Sequence, residues 1–289
     1  MPVSNAIHEN LERSSWIRRM FEEGLRLKEQ FGADKVFDFS LGNPDIEPPP
    51  EFTDALKRAV GQNTPNKHAY MPNAGYSFAR KAMAEKISLE HNTTLAAEDV
   101  VLTVGAAGAL NVILKAILNP FDEVVVIAPY FAEYYFYVNN HRGILRVIEP
   151  GADFLPDIEA VRKGLNDKTA AVIINTPNNP TGRIYPRETI LALAKVLKEF
   201  GAESGRRPYL IIDEPYRDIV YDGAFVPAVL DTYAESMAVS SFSKTLSIPG
   251  ERFGYIGVNP DIQDKKLLLD GFSRSEEQTS ELQSRQVIS

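Results

Sequence analysis

Ala170-Ala-Val-Ile-Ile-Asn175-Thr-Pro-Asn-Asn-Pro-Thr-Gly182 is an apolar run that stops abruptly in prolines, asparagines and a glycine. The run does not alternate apolar with polar residues. It therefore predicts a strand buried on both faces. Working outward, comparable runs recur at Val100–Gly105, Glu123–Ala128, Ile144–Ile148, Tyr209–Asp213, Ala238–Phe242 and Arg252–Val258. Helical patterns over Ala107–Leu118, Phe131–Asn139, Asp157–Gly164 and Arg187–Phe200 separate several of them. Such alternation predicts an α/β fold of three layers, with helices on both faces of a mostly parallel seven-stranded sheet. Right-handed crossovers would bring the strand C-termini to one edge, where a ligand is expected.

Upstream of residue 100 the pattern changes. Residues 6–31 read as an amphipathic helix, Phe37–Leu41 as a short extended piece and Gly42-Asn-Pro-Asp45 as a turn. Pro48-Pro49-Pro50 precedes a helix near 51–60, and a polar aromatic loop, Lys67–Gly75, precedes another that ends near His91. Asp261–Phe272 begins a further amphipathic helix, and the stretch from Arg274 to Ser284 has no apolar face. That stretch resembles the translation of a sequencing adapter, so residues 273–289 are expected to be a non-native tail. The divisions expected are 1–46, an N-terminal segment of small-domain or dimer-arm type, then 47–272, one large domain, then that tail.

Composition narrows the partners. The 289 residues are 44% hydrophobic, enough for a sizeable core, and the formal charge of -8 argues against nucleic acid or an anionic membrane as partner. There is no cysteine, which removes disulfides and thiolate chemistry and fits a cytoplasmic location. No apolar run long enough to span a membrane and no signal-peptide core occur. The four histidines, His8, His68, His91 and His141, lie too far apart to suggest a metal site.

The loops after the strands carry the chemistry. Gly105-Ala-Ala-Gly108 passes into a helix, where small residues and amide groups suit a phosphate, although a tight turn would look the same. Pro129-Tyr-Phe131-Ala-Glu-Tyr134 places aromatics where they could stack on a planar ring or simply join the core. Asn179, in the Asn-Pro-Thr-Gly loop, could donate to a ligand oxygen. Asp213 ends an apolar strand, a costly place for a carboxylate unless a cation faces it, whether a pyridinium or a metal. Lys244, in Ser241-Phe-Ser243-Lys, could serve as a nucleophile if burial lowers its pKa. Arg252 and the serines could bind phosphate. Each motif has a bland reading. Together they supply what a pyridine ring bearing aldehyde, hydroxyl and phosphate requires.

Taken in order, Leu41-Gly-Asn-Pro-Asp45, Tyr70 with Gly75 and Arg80, Gly105-Ala-Ala-Gly108, Asn178-Asn-Pro-Thr-Gly182, Asp213-Glu-Pro-Tyr216 and Ser241-Phe-Ser-Lys244 with Arg252 resemble the class I/II aminotransferases. These are fold type I pyridoxal-phosphate enzymes. The resemblance covers roughly residues 30–272. It implies that 47–272 is the pyridoxal 5′-phosphate domain and that Lys244 holds the cofactor as a Schiff base. It gives Asp213 the pyridine nitrogen, Asn179 and Tyr216 the ring hydroxyl, and Phe131, ahead of Tyr130, the ring face. The amides of Ala106 and Ala107, with Ser241, Ser243 and Arg252, would hold the phosphate. Tyr70 would reach the phosphate of the other subunit of a homodimer. Gly42 and Asn179 would meet the substrate.

The reaction implied moves an amino group between an amino acid and a 2-oxo acid, as part of amino acid metabolism and biosynthesis. Family members continue into a small C-terminal domain that supplies a substrate-binding arginine. No counterpart is assigned in this chain, so poor turnover is expected. Alternatives on the same fold are a carbon–sulfur (β-eliminating) lyase and a non-catalytic, aminotransferase-like sensor domain. A phosphate-binding α/β domain without pyridoxal phosphate leaves Lys244 and Asp213 unexplained together.

Overall fold

The computed structural model describes residues 2–3, 7–8, 15–39, 42–65 and 67–279. The chain divides into two compact units, Met1–Ile46 and Glu47–Ser289. In the first unit, helix α1 (Ser15–Phe31) is followed by a single 3-10 turn at Ala33–Lys35. Lys28 Nζ lies 3.2 Å from Asp38 Oδ2, tying the end of α1 to the extended piece after it. The helix expected over 6–31 is seen from Ser15 onward and at residues 7–8, while residues 9–14 and Leu41 lie outside the described residues.

The second unit opens with α2 (Pro50–Gly61) and α3 (Ser77–His91). Pro50 suits the first turn of α2, because no intrahelical partner awaits its missing N–H. Then β1 (Val100–Val104), α4 (Gly105–Ile117), β2 (Glu123–Ile127), α5 (Glu133–Asn140) and β3 (Ile144–Ile148) follow. Next come α6 (Ile158–Gly164), β4 (Thr169–Asn175), α7 (Arg187–Ser204) and β5 (Tyr209–Asp213). The last elements are β6 (Ser236–Ser241), α8 (Phe242–Thr245), β7 (Phe253–Val258) and α9 (Lys265–Thr279).

All seven strands form one sheet in the order β1-β7-β6-β5-β4-β2-β3. Strand β7 runs antiparallel to both of its neighbours, and the remaining pairings are parallel. The expected α/β architecture and its mostly parallel sheet are those observed. Every residue of β4 is buried, as its unbroken apolar run requires. Side chains alternate between two cores. Val125, Ile127, Val172, Ile174, Leu210 and Ile212 meet Ile87 of α3, Val161 of α6 and Ile190, Leu193 and Leu197 of α7. Val124, Val126, Ala171, Ile173, Ile211 and Met237 meet Leu110, Ile113 and Leu114 of α4, Tyr134 of α5, and Leu268 and Phe272 of α9.

Element ends differ from expectation in small ways with physical causes. Gly105 and Phe242 close no strand; each opens a helix, because the chain turns sharply at the sheet edge. The break expected after residue 272 falls inside α9, which continues to Thr279 with Ser275 buried. Residues 280–289 of the expected tail lie outside the described residues.

Candidate active site

Strands β1, β2, β4, β5 and β6 all end at the same edge of the sheet. Because β7 runs the other way, its beginning comes to that edge: Val104 pairs with Phe253 and Ser241 with Gly254. Arg252, immediately before Phe253, is thereby carried beside the start of α4. A Cβ on Gly105, whose φ is +68°, would stand 2.7 Å from Arg252 Nη2. The guanidinium thus lies against the turn that opens onto Ala106 and Ala107. Arg252 itself takes a left-handed φ of 53° and donates from Nη1 to Pro249 O at 2.9 Å.

Asp213 closes β5 and is buried. Its Oδ2 accepts the Tyr134 hydroxyl at 2.5 Å, and its main-chain oxygen accepts Asn175 Nδ2 at 2.8 Å. The other carboxyl oxygen, Oδ1, is buried without a hydrogen-bond partner among the described residues. Burial pushes this carboxyl up to about 7, the Tyr134 bond opposes the rise, and the charge of Glu214 adds to it. A buried carboxylate with one oxygen unmatched suits a cationic N–H placed opposite it. Tyr134 keeps its own proton, since burial and then the Asp213 charge hold its pKa well above the usual phenol value.

Asn175 closes the neighbouring strand and shapes the loop after it. Its Oδ1 accepts the Asn179 amide at 2.5 Å, and Asn178 Oδ1 accepts the Thr181 hydroxyl at 2.8 Å. Gly182 then turns with φ +69°, a conformation a side chain would disfavour. The loop so held presents Asn179 to Tyr216. Burial raises the Tyr216 phenol and the charge of Asp213 adds to it, while the Asn179 side-chain bond opposes both. A hollow of about 460 Å³ opens beside this pair, lined also by Ile219 and Tyr221.

Lys244 sits in α8, directly after β6, the strand paired with β5. It is half-buried, and desolvation lowers its pKa. Ser241 is buried and Ser243 half-buried on either side of Phe242. Phe131 is half-buried, its ring edge-on to that of Tyr134 at 5.6 Å and 86°. Tyr130 is half-buried beside it. The edge therefore gathers Lys244, Asp213, Asn179, Tyr216, Phe131, Ser241, Ser243, Arg252, Ala106 and Ala107 on the ends of adjacent strands. Tyr70 is 83% exposed in a loop of the same unit, and Gly42 belongs to the first unit.

Two working residues escaped sequence reasoning. Tyr134 holds Asp213, and Asn175 holds the Asn179 loop. Tyr134 is visible in the aromatic run after β2, but nothing along the chain pairs it with Asp213, 79 residues on. Asn175 was visible only as the polar end of an apolar strand.

Comparisons with known proteins identify the family and the fold. The family model described as aminotransferase class I and II matches residues 34–287. The aspartate/prephenate aminotransferase of Thermus thermophilus is 34% identical over 235 residues, spanning 81% of this chain and 58% of its own length. The aspartate aminotransferase of Thermotoga maritima is 32% identical and spans 77% of this chain. An aminotransferase structure from Eubacterium rectale superposes with a TM-score of 0.91 at 35% identity, covering 100% of this chain and 74% of that one. The Thermus thermophilus aspartate aminotransferase solved with maleate gives 0.78 at 30% identity, covering 91% and 65%. The chain thus spans 58% of the length of the Thermus relative.

Proposed function

The chain belongs to the aminotransferase class I and II family, and from that premise we propose that it binds pyridoxal 5′-phosphate and exchanges an amino group between an amino acid and a 2-oxo acid. The observation that carries this reading is Asp213 Oδ1, a buried carboxylate oxygen without a partner among the described residues, one strand away from the lysine of α8. When bound, the cofactor supplies an electron sink for charge that develops at the substrate Cα.

The chain's residues divide the remaining work. Asp213 would face the pyridine nitrogen through Oδ1, with Tyr134 fixing the other oxygen. Its carboxyl, up near 7 without a cation opposite, would be drawn down into the ionised form by a positive ring nitrogen. Desolvation leaves more of Lys244 as free amine near neutral pH. That amine could condense with a carbonyl, water leaving, and once a substrate amine displaces it could take the proton from the substrate Cα and deliver it to the former carbonyl carbon. Arg252, Ser241, Ser243 and the amides opening α4 form the anion end, where a phosphate gains charge-assisted bonds. Phe131 would cover one ring face, and Asn179 with Tyr216 would hold the ring hydroxyl.

Tyr70 contributing from a second copy, which makes a homodimer, and Gly42 near the substrate carboxylate complete the proposal. A cytoplasmic setting fits such an enzyme. No helix among the described residues is long and apolar enough to cross a membrane. Aspartate, named for several relatives, is the first amino donor to assay.

Cofactor capture is the first test. Pyridoxal phosphate added to the purified chain is expected to give a new visible absorbance band that survives dialysis, and Lys244→Ala should abolish it. A band of the same position and strength in Lys244→Ala would remove Lys244 from the site.

A further inference from the structure

Behind the site lies a second buried cluster with no part in the proposed chemistry. Glu214 follows Asp213 directly, and its side chain is 1% exposed. Its Oε1 is 2.6 Å from His91 Nε2, and its Oε2 accepts Arg217 Nη1 at 2.8 Å. His91 is fully buried on α3, and its Nδ1 accepts the Val229 amide at 3.2 Å. With Nδ1 an acceptor, Nε2 carries a proton and donates to Glu214. Arg217 also donates to the main-chain oxygens of Glu90 at 2.6 Å, Val226 at 3.0 Å and Pro227 at 3.3 Å.

Burial opposes charge at Glu214, but His91 and Arg217 more than offset it and hold its carboxyl below the usual carboxylate value. Its charge in turn raises the pKa of Asp213. A neutral residue at 214 would leave the buried Arg217 guanidinium without its carboxylate, so the two are retained as a pair. What the ion pair does accomplish is local. Glu214 and Arg217 bracket a four-residue turn whose main chain closes from Arg217 N to Glu214 O at 3.2 Å. Tyr216 rides on that turn, and its hydroxyl meets Asn179.

We infer that Glu214, Arg217 and His91 are positioning residues that lock the turn carrying Tyr216 to α3 and so fix the phenol against Asn179 at the cofactor's hydroxyl end. Glu90, His91 and Glu214 also bring ligand atoms within 4.8 Å of one another. Lys86 pairs with Glu90 and Arg217 with Glu214, so each carboxylate faces a side-chain cation, while Glu90 Oε2 is buried without a hydrogen-bond partner among the described residues.

The inference rests on the proposed cofactor, and its test reads the cofactor's electronics. The loaded chain is titrated from acid to alkaline pH while the visible band is followed. A phenol donating to the ring oxygen stabilises its ionised form, so Tyr216→Phe should move the midpoint to higher pH. Arg217→Lys keeps the charge but loses the planar fork. It is expected to move the midpoint the same way by about 0.5 pH unit or more, roughly threefold in proton affinity. The double variant Tyr216→Phe/Arg217→Lys should add nothing to Tyr216→Phe alone. Glu214→Gln gives the same reading from the other side of the ion pair if Arg217→Lys does not fold. A midpoint unmoved in the folded variant, with Tyr216→Phe shifted, would overturn the inference. Failure of the parent chain to develop a Lys244-dependent band would overturn the cofactor reading itself, and this inference with it.

Discussion

Asp213 concentrates the electrostatics of the site in one side chain. Folded, its carboxyl keeps its proton up to about pH 7; unfolded, it releases it near 4. Between those values the folded chain holds more protons than the unfolded one, so this residue lowers stability as pH rises through the window. Asparagine cannot ionise and can still accept from Tyr134. The cofactor-free parent is therefore expected to lose about 3 kcal/mol more than Asp213→Asn between pH 5 and pH 8. Urea denaturation at the two pH values measures the difference, and parallel declines in both chains would rule out a buried ionisation at 213. Sequence alone made Asp213 conspicuous, because a carboxylate closing an apolar strand demands a partner. The identity of the partner on its other oxygen was not legible. Tyr134 sits 79 residues earlier in the chain, and only the crossing of α5 over the sheet brings it near.

At the scale of elements, strand β7 places the anion end. Its antiparallel direction turns Arg252 back toward the β1–α4 turn, and the approach is tight. A Cβ on Gly254 would lie 2.3 Å from the Gly105 carbonyl carbon, a backbone atom that cannot step aside. Gly254→Ala should therefore force β1 and β7 apart, costing about 2 kcal/mol or more, at the upper end of overpacking. Thermal denaturation reads that cost, and an unchanged transition would show that the turn yields freely. Strand positions were legible because β-branched runs buried on both faces leave an unambiguous pattern. Their direction was not, since pairing direction is decided by tertiary closure. Element ends were legible to within a residue or two, except at α7, which runs on from Phe200 to Ser204, and at α9. In α9, Phe272 joins the second core, and Ser275 is also buried in a stretch that looks polar along the chain.

Over the whole molecule, the sheet order separates neighbours in space from neighbours in sequence. Strand β1, at one margin of the sheet, has β7 as its strand neighbour, whose first residue lies 149 positions after the last residue of β1. Ala74 O accepts Leu102 N and Val100 O accepts Arg80 Nε from upstream, but during synthesis from the N-terminus the apolar segment Val100–Val104 leaves the ribosome long before its strand partner exists. The groups that pair with β7 meanwhile remain open to other chains, the condition that favours aggregation of slow, non-local sheets. A nascent chain released after Gly250 is expected to sediment as aggregate, whereas the 289-residue chain stays in the supernatant. Equal solubility of the two would mean that β1 finds cover elsewhere. Since β7 also delivers Arg252, the step that relieves this exposure is the same step that completes the anion end. Quality control by solubility and competence for cofactor thus arrive together, within the final strand of the sheet to be translated.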